Sequence, residues 1–349
     1  ISFRGSVDPA AGQSSIVISA GEGESAVSEE ISVTPSSSPV FSLPGRQFVR
    51  LGSPVGFIVS AQDGSGLPVE VSASNLPDGA SFDAESRQIL WTPAPQQTGE
   101  SSLSFGASNS VGATSSGAVP IVVDSGDPII TKPELTACTP GSIATIRGRW
   151  LSSDDAPLFD PSGASLQLGD STVRVNGLAV PILSASPTRL TFLCPDSAPG
   201  TDLDVSVETA AGSSASLRTT MLEAKPRLLL APDSTGDGGY ITFADSDILA
   251  TVRDFRQAGE PAQPEDLVVI RATGLGSREN VAGALAITIG GIDSAIESVS
   301  PDPDAVGVVL IRARVPAGVS AGTGIPVQLT LRPATGPALT SNTVSLAIE

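Results

Sequence analysis

Short runs of alternating apolar and polar residues recur along the chain, each closed by Gly, Pro, Asp, Asn or Ser. Phe57-Ile-Val-Ser-Ala61, Val69-Glu-Val-Ser-Ala73, Ser102-Leu-Ser-Phe-Gly-Ala107 and Leu203-Asp-Val-Ser-Val207 are typical. Alternation at period two places every second side chain on one face of a strand, so these segments predict half-buried β-strands. Turn chemistry sits between them. Asp63-Gly-Ser-Gly66 and Leu76-Pro-Asp-Gly79 supply residues suited to tight turns, including glycines able to take positive φ. No stretch shows a long apolar stripe at period 3.6, and no apolar run approaches a bilayer span. About seven short strands at regular spacing over residues 39–126 predict a sandwich.

The chain also repeats itself. Ile1 to Ile16, with Gly12, parallels Ile89 to Leu103, with Gly99, after one inserted residue. Ile31-Ser-Val-Thr-Pro35 and then Pro39-Val-Phe41 parallel Ile121-Val-Val-Asp-Ser125 and then Pro128-Ile-Ile130. In the later copy residues 39–88 precede the match, and nothing precedes the earlier one. Residues 1–38 therefore read as the C-terminal half of a sandwich. They hold a hairpin of Ser15–Ala20 and Glu30–Thr34 around Gly21-Glu-Gly-Glu24, then an extended linker over Thr34–Pro39. Such a half-unit predicts either a piece of a longer protein or strands completed by a neighbouring molecule. The initial Ile and the lack of a signal peptide fit a processed or truncated product.

A second kind of unit follows, in two copies. Gly141–Gly148 and Val173-Arg-Val-Asn-Gly177-Leu-Ala-Val-Pro-Ile-Leu183 read as strand, turn, strand, and Leu190-Thr-Phe-Leu-Cys-Pro195 and Leu203–Val207 complete the first pattern. Leu267-Val-Val-Ile-Arg-Ala-Thr-Gly274, Ile287-Thr-Ile-Gly-Gly291, Val308–Val315 and Val327–Leu331 form the second. The expected architecture is all-β: tandem immunoglobulin-like β-sandwiches over 39–126, 127–225 and 226–349, after the partial unit at 1–38.

Two resemblances sharpen this. Leu76-Pro-Asp-Gly-Ala-Ser-Phe-Asp83, Ile89-Leu-Trp-Thr-Pro93, Gly99 and Ala107-Ser-Asn109 resemble the bacterial cadherin-like, immunoglobulin-like domains of large surface proteins. Residues 1–35 resemble only the second half of that domain, with Phe3-Arg-Gly5 in place of its Trp-x-Pro strand. Val175-Asn-Gly177, Ala231-Pro232 with Gly236 to Gly239, Ala272-Thr-Gly-Leu-Gly276, and Val315-Pro316 with Gly322 resemble a two-part immunoglobulin-like domain common in acidobacterial secreted proteins. Both resemblances imply architecture and an extracellular or cell-surface, bacterial setting; neither implies a reaction.

Composition removes several chemistries. The chain has no histidine and carries a net charge of −18. A Ser-His-Asp or Cys-His site is therefore impossible within it, and phosphate backbones are repelled, so neither catalysis nor nucleic-acid binding is expected. Cys138 and Cys194 are the only cysteines and fall in one expected sandwich; in an oxidising compartment they form a disulfide, the alternative being two buried thiols.

The acidic turns are the metal candidates. Asp124-Ser-Gly-Asp127, at an expected domain junction, is the place where calcium would stiffen a cadherin-like array. Asp233, Asp237, Asp245, Asp247, Asp302 and Asp304 lie in other acidic loops. None shows the full calcium-loop spacing or the distal Glu, and Asx turns account for the same residues. Thus no cofactor is expected, with Asp124 and Asp127 the calcium candidates. Trp91 reads as core, whereas Trp150 and Tyr240, beside turns, are the residues a glycan would stack on. Lys132 and Lys225 lie at domain edges, poorly placed for a self-made isopeptide bond. The expected role is a structural, self-associating subunit of a surface filament or stalk, with an adhesin for glycan or protein as the alternative.

Overall fold

A computed structural model describes residues 14–20, 27–33, 37–135, 137–153, 157–232, 236–252, 258–276, 284–333 and 336–349. The turn at 21–24, residues 1–12 of the repeat, the linker's first residues 34–36 and Asp233 lie outside them. No helix occurs among the described residues. The protein is all-β, built of tandem immunoglobulin-like sandwiches, and divides into two compact units, Ile1–Gly126 and Asp127–Glu349.

In the first unit Ser14–Ala20 pairs antiparallel with Val27–Val33, in register from Ser14↔Val33 to Ala20↔Val27. The sandwich beyond has one four-stranded sheet, ordered Gln47–Arg50, Thr114–Asp124, Gly99–Asn109, Val69–Ser74. Its edge strand Gln47–Arg50 runs parallel to Thr114–Asp124. Opposite lie Val55–Ile58, Gln88–Trp91 and Ser81–Asp83. The alternation seen in sequence is the packing: Leu103, Phe105 and Ala107 from one strand and Val119, Ile121 and Val123 from its neighbour are buried with Ile89 and Trp91. The run Phe57–Ala61 departs from expectation, because it is two strands in different sheets. The chain crosses over at the fully buried Val59, whose N–H donates to Arg87 O at 2.9 Å. Asp63 closes its turn as an Asx turn, accepting from Ser65 N–H at 2.8 Å, and also accepts from Asn109 Nδ2 at 2.8 Å. These bonds hold the Asp63 carboxyl below the ordinary carboxylate range, the Asn109 bond most.

The second unit contains the same central strand order twice. In its first sandwich one sheet is ordered Ile129–Leu135, Ile143–Arg149, Arg189–Leu193, Ile182–Ser186, Leu158–Phe159. The other centres on Thr172–Val175 beside Asp202–Thr209. In its second sandwich Leu267–Thr273, Val309–Arg314 and Ile296–Pro301 take the places of the three central strands, and Leu285–Ile289 beside Gly322–Leu331 those of the other pair. Both copies contain a two-residue hairpin. Asn176 and Gly177 (φ 51° and 79°) serve one, Gly290 and Gly291 (φ 62° and 79°) the other, the left-handed pair such turns require. After each hairpin the chain crosses to the opposite sheet, at Pro181 and at Ala295. The expected continuous strand through Val180-Pro-Ile182 is thereby split. Cys138 and Cys194 are bonded, with Cα atoms 5.7 Å apart, inside the first of these two cores.

Candidate functional site: an arginine-edged groove in the second unit

The strand Ile143–Arg149 lies in the middle of its sheet and alternates. Ala144 and Ile146 point into the core, so Ile143, Thr145, Arg147 and Arg149 share the outward face. Register carries this across the sheet: Ile143 faces Leu193, Thr145 faces Thr191 and Arg147 faces Arg189, while Ser184 and Ser186 face Thr191 and Arg189 from the next strand. The outward face thus grades from aliphatic, through hydroxyl, to cationic.

Its aliphatic end is covered by the last sandwich. Thr273, 2% exposed, accepts the Ile143 N–H on Oγ1 at 3.0 Å and donates from Oγ1 to Gly307 O at 2.7 Å. Gly307 has φ +74°, and a Cβ there would stand 2.8 Å from Leu193 Cδ1 and 3.0 Å from Ile143 Cγ1, so the close approach needs glycine. Thr273→Val keeps the shape and removes the hydroxyl, leaving two polar groups without their partner. The expected cost is about 2 kcal/mol, and in calorimetry the two sandwiches should then melt in separate steps.

The uncovered remainder of the face opens into a groove of about 600 Å³. Thr145, Thr191 and Arg189 form part of its floor, and Arg227, Leu230 and Tyr240 rise from the last sandwich. Phe159 stands at the rim, 73% exposed, and Leu230 is 43% exposed. Asp160 fixes the loop beneath Phe159. Its carboxylate accepts from Ser162 N–H at 3.2 Å, Ser165 N–H at 2.9 Å and the Ser162 hydroxyl, and these bonds, the Ser162 side chain's foremost, lower its pKa to about 2. A depressed carboxylate contributes fully above its ordinary value of 3.8, and the contribution disappears as pH falls through about 2. Protection factors of the amides in residues 160–165, corrected for intrinsic exchange, should therefore fall on acidification through that window. Asp160→Asn should abolish the dependence.

Electrostatically the groove stands apart from its chain. Arg147 and Arg189 are opposed cross-strand partners of like sign, an unfavourable pairing. Desolvation first, then the charges of Arg147 and Arg227, lowers the Arg189 pKa; desolvation and Arg147 lower that of Arg227. Both stay cationic at neutral pH. Among the described residues neither Arg189 nor Arg227 forms an ion pair with an acid, in a chain with 37 acidic and 19 basic residues.

The residues singled out from sequence do not converge here, Tyr240 excepted. Tyr240 is half-buried, and one face of its ring is taken by the Arg271 guanidinium, 4.0 Å from the centroid. Arg271 also approaches Asp302 at 3.7 Å and donates to Thr242 Oγ1 at 3.2 Å. Trp91 is core, 3% exposed, its Nε1 donating to Asp78 O at 3.3 Å. Trp150 is half-buried at positive φ (58°). Asp124 ends the last strand of the first unit, its carbonyl accepting from Leu51 N–H at 2.8 Å, and Asp127 opens the second unit. Among the described residues no three His, Cys, Asp or Glu side chains converge as a metal ion would require. Asp302 and Asp237 have other uses: Asp302 Oδ1 accepts from Asp304 N–H at 2.9 Å, and Asp237 accepts from the Ser345 hydroxyl at 3.1 Å. Lys225 is exposed, and Lys132 lies on Ile129–Leu135. Sequence reading missed the groove. Its signals were Arg147 and Arg189 on the polar phase of their strands and the apolar Ile143 and Leu193 on the same outward phase.

Residues 38–124 match the family described as "Putative Ig domain", about a quarter of the chain. No curated protein matches. Among solved structures, the Bacteroides ovatus mixed-linkage glucan utilization locus protein SGBP-B, in complex with a mixed-linkage heptasaccharide, is 15% identical over 90% of this chain and 70% of its own (TM-score 0.30). Protocadherin Gamma B2 extracellular cadherin domains 1–5 are 15% identical over 97% and 66% (0.24). The titin I-band fragment I67–I69 is 13% identical over 90% and 99% (0.22). Residues 38–124 are thus similar in sequence to an immunoglobulin-like domain family, and the described structure is immunoglobulin-like throughout its sandwiches.

Proposed function

We propose that the chain is a non-enzymatic structural segment of a bacterial extracellular protein, part of a surface filament or stalk made of immunoglobulin-like domains. The observation that carries this reading is the joint inside the second unit. Leu222 N–H donates to Cys138 O at 2.9 Å on one side, and Lys225 N–H donates to Gly274 O at 2.8 Å on the other. Only two residues separate the anchors, too few for slack. Gly274, at φ +77°, lets the carbonyl of Lys225 approach where any side chain would collide with it. Two sandwiches fixed in this way make a spacer, whereas a flexible linker would make a tether. The disulfide suits an oxidising compartment, and the missing histidine removes the commonest general base for a nucleophile.

The test is negative-stain electron microscopy of native material, with size exclusion of the recombinant chain. Regular filaments with a repeat shorter than the extended molecule support a polymer subunit in which residues 1–38 are completed between neighbours. Separate rods, cut by protease within residues 1–38, support a stalk. Compact monomers that bind a glycan or protein surface through one set of loops contradict both and favour the adhesin reading.

A further inference from the structure

We infer that the groove between the two sandwiches of the second unit is a binding site for an acidic peptide strand with apolar flanking residues. This goes beyond the structural role and does not depend on it. Four observations bear on the occupant. Arg189 and Arg227 line the groove without an acidic partner among the described residues, and Arg147 lies directly opposite Arg189, so one end is suited to a carboxylate. The rest of the lining is mainly aliphatic and aromatic, with Phe159 and Leu230 exposed. Such a surface takes Val, Ile or Leu side chains and offers a sugar few polar partners beyond hydroxyls. The sheet ends beside the groove at Leu158–Phe159, whose outer edge no described strand covers, so backbone groups there are placed to pair with an extended chain. Finally, a chain of net charge −18 repels long polyanions at a distance, which favours a short segment carrying one or two carboxylates over a nucleic acid.

The geometry assigns parts to the residues. Arg189 and Arg227 receive a carboxylate, Phe159 and Leu230 hold the neighbouring apolar side chains, and the Thr191 hydroxyl accepts or donates along the floor.

The experiment uses the full chain and two labelled peptides, Val-Glu-Val-Glu-Val and Val-Lys-Val-Lys-Val, followed by fluorescence anisotropy at low and high salt. The acidic peptide is expected to bind and the basic one not, with affinity falling as salt rises. Arg189→Glu, on an exposed side chain, should weaken binding by at least about tenfold. Arg218→Glu should leave it unchanged, because Arg218 is 89% exposed on the other sheet, beside Asp204. Circular dichroism confirms that the Arg189 variant is folded; Arg227→Ala is a second variant on the other wall. Equal binding of the two peptides, or undiminished binding by both arginine variants, overturns the proposal. So does displacement of the acidic peptide by an oligogalacturonate that binds more tightly, which would make this an acidic-saccharide site.

Discussion

Phe105→Ala is expected to destabilise the first unit by about 3–5 kcal/mol, the range for emptying a large aromatic from a closed core. Phe105 is 2% exposed, and its ring meets Phe82 edge-on, centroids 6.0 Å apart and planes at 62°. It sits in the middle of Gly99–Asn109, paired on one side with Gly117 and on the other with Ala73. Neither neighbour has bulk to fall into the space left behind. The loss should appear as a lower urea midpoint for the first unit, with the second unit's transition unmoved, since the two are separate compact units. Phe105→Leu, which retains most of the volume, should recover much of the loss. If the alanine variant unfolds at the wild-type midpoint, the described core is wrong at its centre.

The second large effect concerns the bond between Cys138 and Cys194. Their separation of 56 residues gives a loop whose closure removes about 4 kcal/mol of unfolded-state entropy by the chain model, a figure engineered bonds often fall short of. Both cysteines are buried, at 0% and 1% exposure, so replacement by alanine adds little polar disturbance. The Cys138→Ala/Cys194→Ala double variant should therefore lose stability in the second unit, and reductant should lower its melting point in the wild type only. Thiol labelling of the unfolded protein gives the independent check. Labelling without reductant would show that the bond is absent in the molecule under test. The following sandwich has no cysteine, so in the Thr273→Val variant, where the two sandwiches melt separately, its transition should ignore reductant.

These two predictions rest on features of different legibility. The core around Phe105 was readable, because alternation in Ser102-Leu-Ser-Phe-Gly-Ala107 is local and the pleat converts it directly into inward and outward faces. The hairpins at Asn176-Gly177 and Gly290-Gly291 were readable for the same reason. The crossovers at Val59, Pro181 and Ala295 were not. A strand that changes sheets keeps its apolar content, and nothing in the alternation marks where its hydrogen bonds change partner. The pairing of the two cysteines was readable only as a choice between a bond and two thiols, since spacing carries no distance in space. The groove was the least legible part. Ile143 and Leu193 sit on the outward phase of their strands, where an apolar residue is a weak sign of a second covering layer. Arg147 and Arg189 become neighbours only through register between strands far apart in sequence. Calcium at Asp124 and Asp127 rested on a junction motif, and it remains a proposal for a titration followed by melting temperature.

The joint between Cys138 and Gly274 has a consequence for motion. Because the connecting residues are hydrogen-bonded at both ends, the two sandwiches of the second unit should tumble as one particle, with a shared rotational correlation time in NMR relaxation. An array containing such pairs bends less often per residue than one hinged at every sandwich. Its persistence length is then set by the spacing between pairs, and lengthening the array adds reach faster than it adds conformational entropy.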